Sequence, residues 1–458
     1  MIGRRPLLLG MGGRALAGLA ALGRVGSVGT VGSLARGSVL GLVGAGAAGS
    51  DAAHAANATN AADAPDMNAT DPPPLSNAPL VFPRDHGSHP ETRVEWWYVT
   101  GVLRPSDASD PTKRGAAGER SSRGQGAPQG GPRPEQPAQS EQPEQLSPAP
   151  AYGFQLTFFR IQRPLQRPLN SRFAPSQIML GHMAVTDLAR QRLHHDQRLL
   201  RQGFANAFTD ETDARLRLGD WSLARSTGAD GLSRYQLAFR SEPANVALSL
   251  SLAAPLPPLL QGRQGWSQKG PQPQQASRYV SEPQLHGQGE LAVDGKPAQP
   301  VQAQCWLDHE WSHAYLGRGG DENPNRSVGW DWLGLNLLDG SALMLFQMRR
   351  HDGSTLWTGG TWRHPAGRQQ DLERQVSFEA EAFWTSPTSL ARYPVRWRIR
   401  TPQGLWRIEA MFDAQEIDAR RSTGFLYWEG VVRVLDDAGT LKGWGYLEMT
   451  GYAGRVPL

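Results

Sequence analysis

The 458-residue chain is long enough for two or three domains, and 47 Lys+Arg against 43 Asp+Glu leave a formal net charge of only +4. With no long basic run in the part that reads as folded, this balance excludes a charge-driven nucleic-acid surface, and a pI near 9.3 is a solubility property. A single cysteine, Cys305, excludes a disulfide within the chain.

From the N-terminus, "MIGRRPLLLGMGGRALAGLAALGRV" sets the paired Arg4 and Arg5 before a Leu/Ala/Gly tract, and "AHA" at 53–55 offers a small-x-small cleavage site. This pattern predicts a twin-arginine-like export signal over 1–55, hence a periplasmic or secreted protein. Cys305 lies far from the signal, which excludes an N-terminal lipid anchor. No later stretch reaches the roughly 18 apolar residues of a transmembrane span. Residues 56–79 have the composition of a disordered leader.

After residue 80 the chain reads as short strands broken by turns. "VEWWYVTGVL" and "YGFQLTFFRI" have the β-branched and aromatic content of strands. Between them, residues 104–150 form a Pro/Gly/Gln-rich insertion, not a domain boundary. Farther on, Asp339-Gly340 between "VGWDWLGLNLL" and "SALMLFQMRR" is a strong hairpin signal. "VRWRIR" turns at Pro402-Gln403-Gly404 and returns as "LWRIEAMF", and "FLYWEGVVRVL" pairs with "GWGYLEMTGY" across "DDAGTLK". Helical periodicity over a dozen residues is absent, so the expectation is an all-β chain of two β domains with a Gly/Pro/Asn-rich seam at 312–325.

Within "CWLDHEWSH" lies His309-Glu310-Trp311-Ser312-His313, a literal H-E-x-x-H. As a zinc site it needs both histidines on one helical face, with the glutamate as base. The preceding "VQAQCWLD" reads as a strand, and Gly317, Gly319 and Gly320 follow closely, so no long amphipathic helix fits and no metal is expected. On a strand, Asp308 and Glu310 share a face. Two carboxylates side by side are costly as mere structure and raise one pKa.

Seven ordered blocks, "FPRDHGSHPETRVEWWYVTG", "YGFQLTFFR", "GHMAVTD", "LQGRQGWSQKG", "CWLDHEWS", "GWDWLGLNLLDGSALMLFQMR" and "LYWEGVVRV…GWGYLEMTGY", resemble the secreted AttH-like family over about residues 80–458. That family is related to the carotenoid 1,2-hydratases (hydroxyneurosporene synthases). The resemblance implies two packed lipocalin-like antiparallel β-barrel domains with little helix, here 80–314 and 315–458. It includes Asp308-His309-Glu310-Trp311 as a block, whereas His313 lies outside the pattern. By position Asp308 matches the acid that would protonate an isolated C=C bond before water captures the cation. A carboxyl kept neutral by a desolvated barrel mouth suits that step.

Asp308, Glu310 and His309 are therefore the catalytic candidates. Trp306, Trp330, Trp332, Asp331, Glu95 and Trp97 are the candidates for substrate binding. Several of these have ordinary alternatives. Trp96 and Trp97 must face opposite sides of a strand, so at most one lines a cavity. Glu95 between apolar residues needs a partner, either Arg93 or Arg160 in a structural ion pair, or a ligand. Asp85, His86 and His89 suit loop hydrogen bonding as well as function. "LQGRQGWSQKG", with Lys269, and Tyr279 and Ser281 after it, fits a lid over the barrel mouth. Two functions follow from the resemblance. One is a hydratase or hydrolase acting on an isoprenoid or acyl lipid without a cofactor. The other is an extracytoplasmic lipid carrier partnered by an ABC-type permease.

Overall fold

The computed structural model describes residues 74–106, 149–162, 177–203, 206–313, 316, 323, 326–454 and 456. The export signal expected over 1–55 lies outside them, as do 56–73 of the leader, 107–148 of the insertion and most of the seam after Ser312. Among the described residues the only helix is one 3-10 turn, Arg84–His86, and all other regular structure is antiparallel strand. The chain is all-β.

The first sheet runs in the order Arg192–Arg201, Gln177–Asp187, Tyr152–Gln162, Val94–Pro105, Gln299–Ser312, Ala276–Val293, Val246–Ala253, Ser233–Ser241, Trp221–Thr227, Arg215–Leu218 and Ala207–Thr209. Its two ends are consecutive in the chain and approach through Gly203 N and Ala207 O at 3.2 Å, so the sheet is a nearly closed barrel. In the second, half-barrel sheet, Gly329–Leu337 lies between Ala342–Arg349 and Leu441–Met449, and the latter pairs with Leu426–Asp436. The hairpin expected at Asp339-Gly340 joins Gly329–Leu337 to Ala342–Arg349, with Gly340 at φ +84° as such a turn requires. The strands flanking the long insertion, Val94–Pro105 and Tyr152–Gln162, pair directly.

Strand alternation sorts the side chains into three cores. Trp97, Val99, Leu103, Phe154, Leu156, Cys305 and Leu307 fill the first barrel. Leu333, Leu335, Leu345, Trp428, Val432 and Leu447 fill the second sheet's concave side. The opposite faces of the same strands meet in a third core, with Tyr98, Tyr279 and Trp306 from the first sheet against Trp332, Phe346, Tyr427 and Tyr446 from the second. Strands such as "VEWWYV" are thus apolar on both faces because both faces are covered. The close approach depends on small residues: a Cβ at Gly153 would lie 2.0 Å from Val431 Cγ2, and one at Gly334 would strike Trp332 and Trp306 at under 3 Å. Both glycines leave the space that lets the sheets and these two indoles pack.

Candidate active site between the two sheets

Residues 299–312 form one continuous strand, so the H-E-x-x-H residues have no helical face to share, and His313 falls just beyond the strand's end. On this strand Trp306, Asp308 and Glu310 project toward the second sheet, while Cys305, Leu307 and His309 project into the first barrel. Asp308 and Glu310 open into a cavity of about 820 Å³ of non-atom space, open solvent at its mouth included. The cavity lies between the two sheets. A site in a barrel mouth, the sequence-based expectation, is not what forms, because large side chains already fill the barrel interior.

Asp308 is held by three donors. Trp306 Nε1 reaches Oδ1 at 2.6 Å, Ser281 Oγ reaches Oδ1 at 2.5 Å, and Tyr279 OH reaches Oδ2 at 2.5 Å. Both hydroxyls are steered toward the carboxyl. Gln261 Nε2 donates to Ser281 Oγ (2.7 Å) and Trp332 Nε1 donates to Tyr279 OH (2.8 Å), leaving each hydroxyl hydrogen to point at Asp308. Burial nevertheless dominates and pushes the Asp308 pKa up to about 7, with the three donors opposing it and Glu310 adding to it. Asp308 is a carboxyl poised between acid and base at neutral pH.

Beside it, Glu310 Oε1 lies 3.1 Å from Lys269 Nζ, which sits over the rings of Tyr279 (4.6 Å) and Phe346 (4.2 Å). The second sheet supplies Trp330, Trp332, Phe346 and Met348, and two further carboxyls, Glu429 and Glu448, which are cross-strand partners. Tyr98 donates to Glu429. Burial raises both carboxyls, Glu448 to about 8, with the neighbouring acids adding to the effect. Four carboxyls and one amine thus face a largely aromatic lining.

A family model, AttH-like, matches residues 145–452. This chain belongs to the AttH-like family. A crystal structure from Nitrosomonas europaea, described as an AttH, is 37% identical, covers 83% of this chain and 99% of its own, and superposes with a TM-score of 0.65. Kievitone hydratase from Nectria haematococca shares the fold at 12% identity, 81% and 92% coverage and a TM-score of 0.52. No curated protein matches.

Of the residues expected to act in this AttH-like chain, Asp308, Glu310, Trp330 and Trp332 line the cavity, and Trp306 stands behind Asp308 as its donor. Four others face elsewhere. Glu95, Trp97 and His309 point into the first barrel because each has the opposite strand parity from the lining residues, and Trp96 takes the cavity position instead. Asp331, between Trp330 and Trp332, projects to the far side of its strand, where Arg349 Nε (2.9 Å), Gln347 Nε2 (2.7 Å) and Tyr452 OH (3.0 Å) donate to it.

Glu95 is the centre of a closed hub. Arg160 Nε donates to Oε2 at 2.7 Å, His309 Nε2 and His89 Nδ1 each lie 2.9 Å from Oε1, and the His89 backbone N–H also donates. Burial alone would raise its pKa, but His309, His89 and Arg160 outweigh that and hold it well below the usual carboxylate range. The ring of His89 stacks on Trp311 and that of His309 on Trp97. Ligand-type atoms of His89, Glu95 and His309 lie within 4.8 Å of one another. A dication there would face the Arg160 guanidinium and take an oxygen already committed to both histidines, so the donor set fits an ion-pair hub better than a metal.

Glu429, Glu448, Tyr98 and His182 also line the cavity, and sequence reasoning missed them. A signal existed for the glutamates. "YWEGVV" and "YLEMTG" each set a charge among apolar residues, the same anomaly that singled out Glu95.

Proposed function

We propose that this chain binds an apolar isoprenoid or acyl-lipid ligand between its two sheets and adds water across a carbon–carbon double bond. The observation that carries this reading is Asp308: a cavity carboxyl, held in place by Trp306, Ser281 and Tyr279, with a pKa raised to about 7. Asp308 gives its proton to one alkene carbon, and the neighbouring carbon becomes cationic. The faces of Trp96, Trp330 and Trp332 and the Asp308 carboxylate left by the transfer stabilise that charge. Water adds to the cation and loses a proton to the Asp308 carboxylate, which restores the acid. Alkene and water give an alcohol, and no cofactor is consumed.

A carrier function is the second reading, because an aromatic cavity between sheets can hold a lipid without turnover. In that role the chain would work beside an ABC-type permease. Both readings place the protein outside the cytoplasm, on the strength of the Arg4-Arg5 leader.

The test is incubation with isoprenoid alkenes in ¹⁸O-labelled water, alongside mass spectrometry of copurifying lipid. The expected result is labelled alcohol from the natural chain and a loss of about 100-fold or more in Asp308→Asn, with lipid retention within a few fold. Labelling at equal rates in both chains overturns the role of Asp308. Lipid retained by both without any labelling supports the carrier.

A further inference from the structure

Lysine is scarce in this chain. Of its 47 basic residues only Lys113, Lys269, Lys296 and Lys442 are not arginine. Lys296 and Lys442 are exposed, whereas Lys269 is 5% exposed and lines the cavity. Ion pairing alone does not select lysine at that place. Among the described residues, the other buried carboxylates paired with a permanent cation take arginine, as with Arg160 on Glu95 and Arg349 on Asp331. What lysine offers and arginine does not is a neutral, nucleophilic form within reach of neutral pH.

The surroundings bring that form closer. Nζ is enclosed between the Tyr279 and Phe346 rings and has Glu310 Oε1 at 3.1 Å as a proton acceptor. Burial lowers the Lys269 pKa, and Glu310 and Asp308 oppose the shift only in part. In such a setting a proton moved from Lys269 to Glu310 leaves two neutral groups and removes two buried charges. The backbone holding the amine is tied down. Lys269 N donates to Gln275 O (2.7 Å), and Gln268 Nε2 bridges Gly270 O and Gln272 O (2.8 and 2.7 Å).

We propose that Lys269 is a nucleophilic amine that captures apolar aldehydes or ketones in the cavity as a Schiff base, with Glu310 taking and returning its proton. The ammonium first gives a proton to Glu310. The amine nitrogen bonds to the carbonyl carbon, and the carbonyl π pair moves to oxygen, which takes a proton from nitrogen. Glu310 then protonates the resulting hydroxyl, which leaves as water, and the nitrogen lone pair forms the C=N bond. Ammonium, carboxylate and carbonyl become iminium, carboxylate and water, and no oxidant or reductant is required. This capture does not depend on alkene hydration, so each can fail without the other.

The test uses citral, an isoprenoid aldehyde, with sodium cyanoborohydride on the full chain, read by intact mass and peptide mapping. The expected result is one reduced adduct at Lys269, formed about tenfold or more faster than at Lys296 or Lys442. It should be absent in Lys269→Arg that is folded by circular dichroism. Glu310→Gln, which keeps the lysine, should slow trapping at Lys269 by removing the group that takes and returns its proton, and should move the pH profile downward, because loss of the carboxylate lowers the Lys269 pKa further. Adducts at Lys296 and Lys442 with Lys269 unlabelled, or labelled no faster than they are, overturn the proposal. A Glu310→Gln chain that traps citral at the natural rate overturns the role of Glu310.

Discussion

Asp308 and His309 are neighbours on one strand, yet they belong to two buried acid clusters of opposite character. On the barrel side, Glu95 has an arginine, two histidines and a backbone N–H around it and stays ionised. On the cavity side, Asp308, Glu310, Glu429 and Glu448 share Lys269 as the one cation among the lining residues, and Asp308 and Glu448 are pushed up to about 7 and about 8. Burial is similar in the two clusters. The supply of cations differs, and it decides which acids hold the structure and which keep a movable proton.

The largest expected effect comes from breaking the satisfied cluster. Glu95→Gln leaves Arg160 buried without a counter-charge and should cost about 3–5 kcal/mol in urea unfolding. The sign with pH follows from the lowered folded pKa. The contribution of Glu95 is present above its unfolded value of 4.5 and is lost as pH falls, so the penalty should shrink in acid. A penalty that does not change down to pH 3 would mean that Glu95 is not held ionised.

Asp308→Asn should act in the opposite direction. The folded pKa of Asp308 lies above its unfolded value of 3.8, so ionising it costs stability increasingly from about pH 4 up to about pH 7. Relative to the natural chain, the variant should therefore gain about 2–3 kcal/mol on going from pH 5 to pH 8. A gain that is the same at both pH values would place Asp308 with Glu95 as a paired, ionised acid.

The smallest effect separates two adjacent tryptophans. Trp96→Phe should weaken retention of the copurifying lipid by about threefold to tenfold, the size of one aromatic contact. Trp97→Phe should leave retention within about twofold while costing about 1 kcal/mol of stability. Equal effects on retention would mean that the two strand faces are not functionally distinct.

Much of this was legible in the sequence. Asp339-Gly340 marked its hairpin, and the pairing of "VEWWYVTGVL" with "YGFQLTFFRI" could be read across the long insertion. The shared face of Asp308 and Glu310 followed from strand parity, and the charge of Glu95 among apolar residues foretold a partner, which is Arg160. What could not be read was which face looked where. Strands covered on both sides carry no polar face to set inside from outside, so the cavity could not be placed between the sheets. The same loss let Asp331, Trp97 and His309 pass as cavity residues when their parity sends them the other way, whereas Glu429 and Glu448 did carry a signal, a charge among apolar residues. Register also breaks between Glu282 and Leu285, where Gln284 takes φ +59°. The bulge keeps parity along Ala276–Val293 from being counted through to Tyr279 and Ser281.

The central claim is that Asp308 carries a proton in the cavity near neutral pH, and infrared difference spectroscopy reads it directly. Spectra of the natural chain minus Asp308→Asn, taken from pH 5 to pH 9, isolate the carbonyl stretch of the protonated Asp308 carboxyl. A band that is full at pH 5 and disappears with a midpoint near 7 is the result expected here. A carboxylate signal already complete at pH 5, with no protonated band, would contradict it and make Asp308 a structural anion like Glu95.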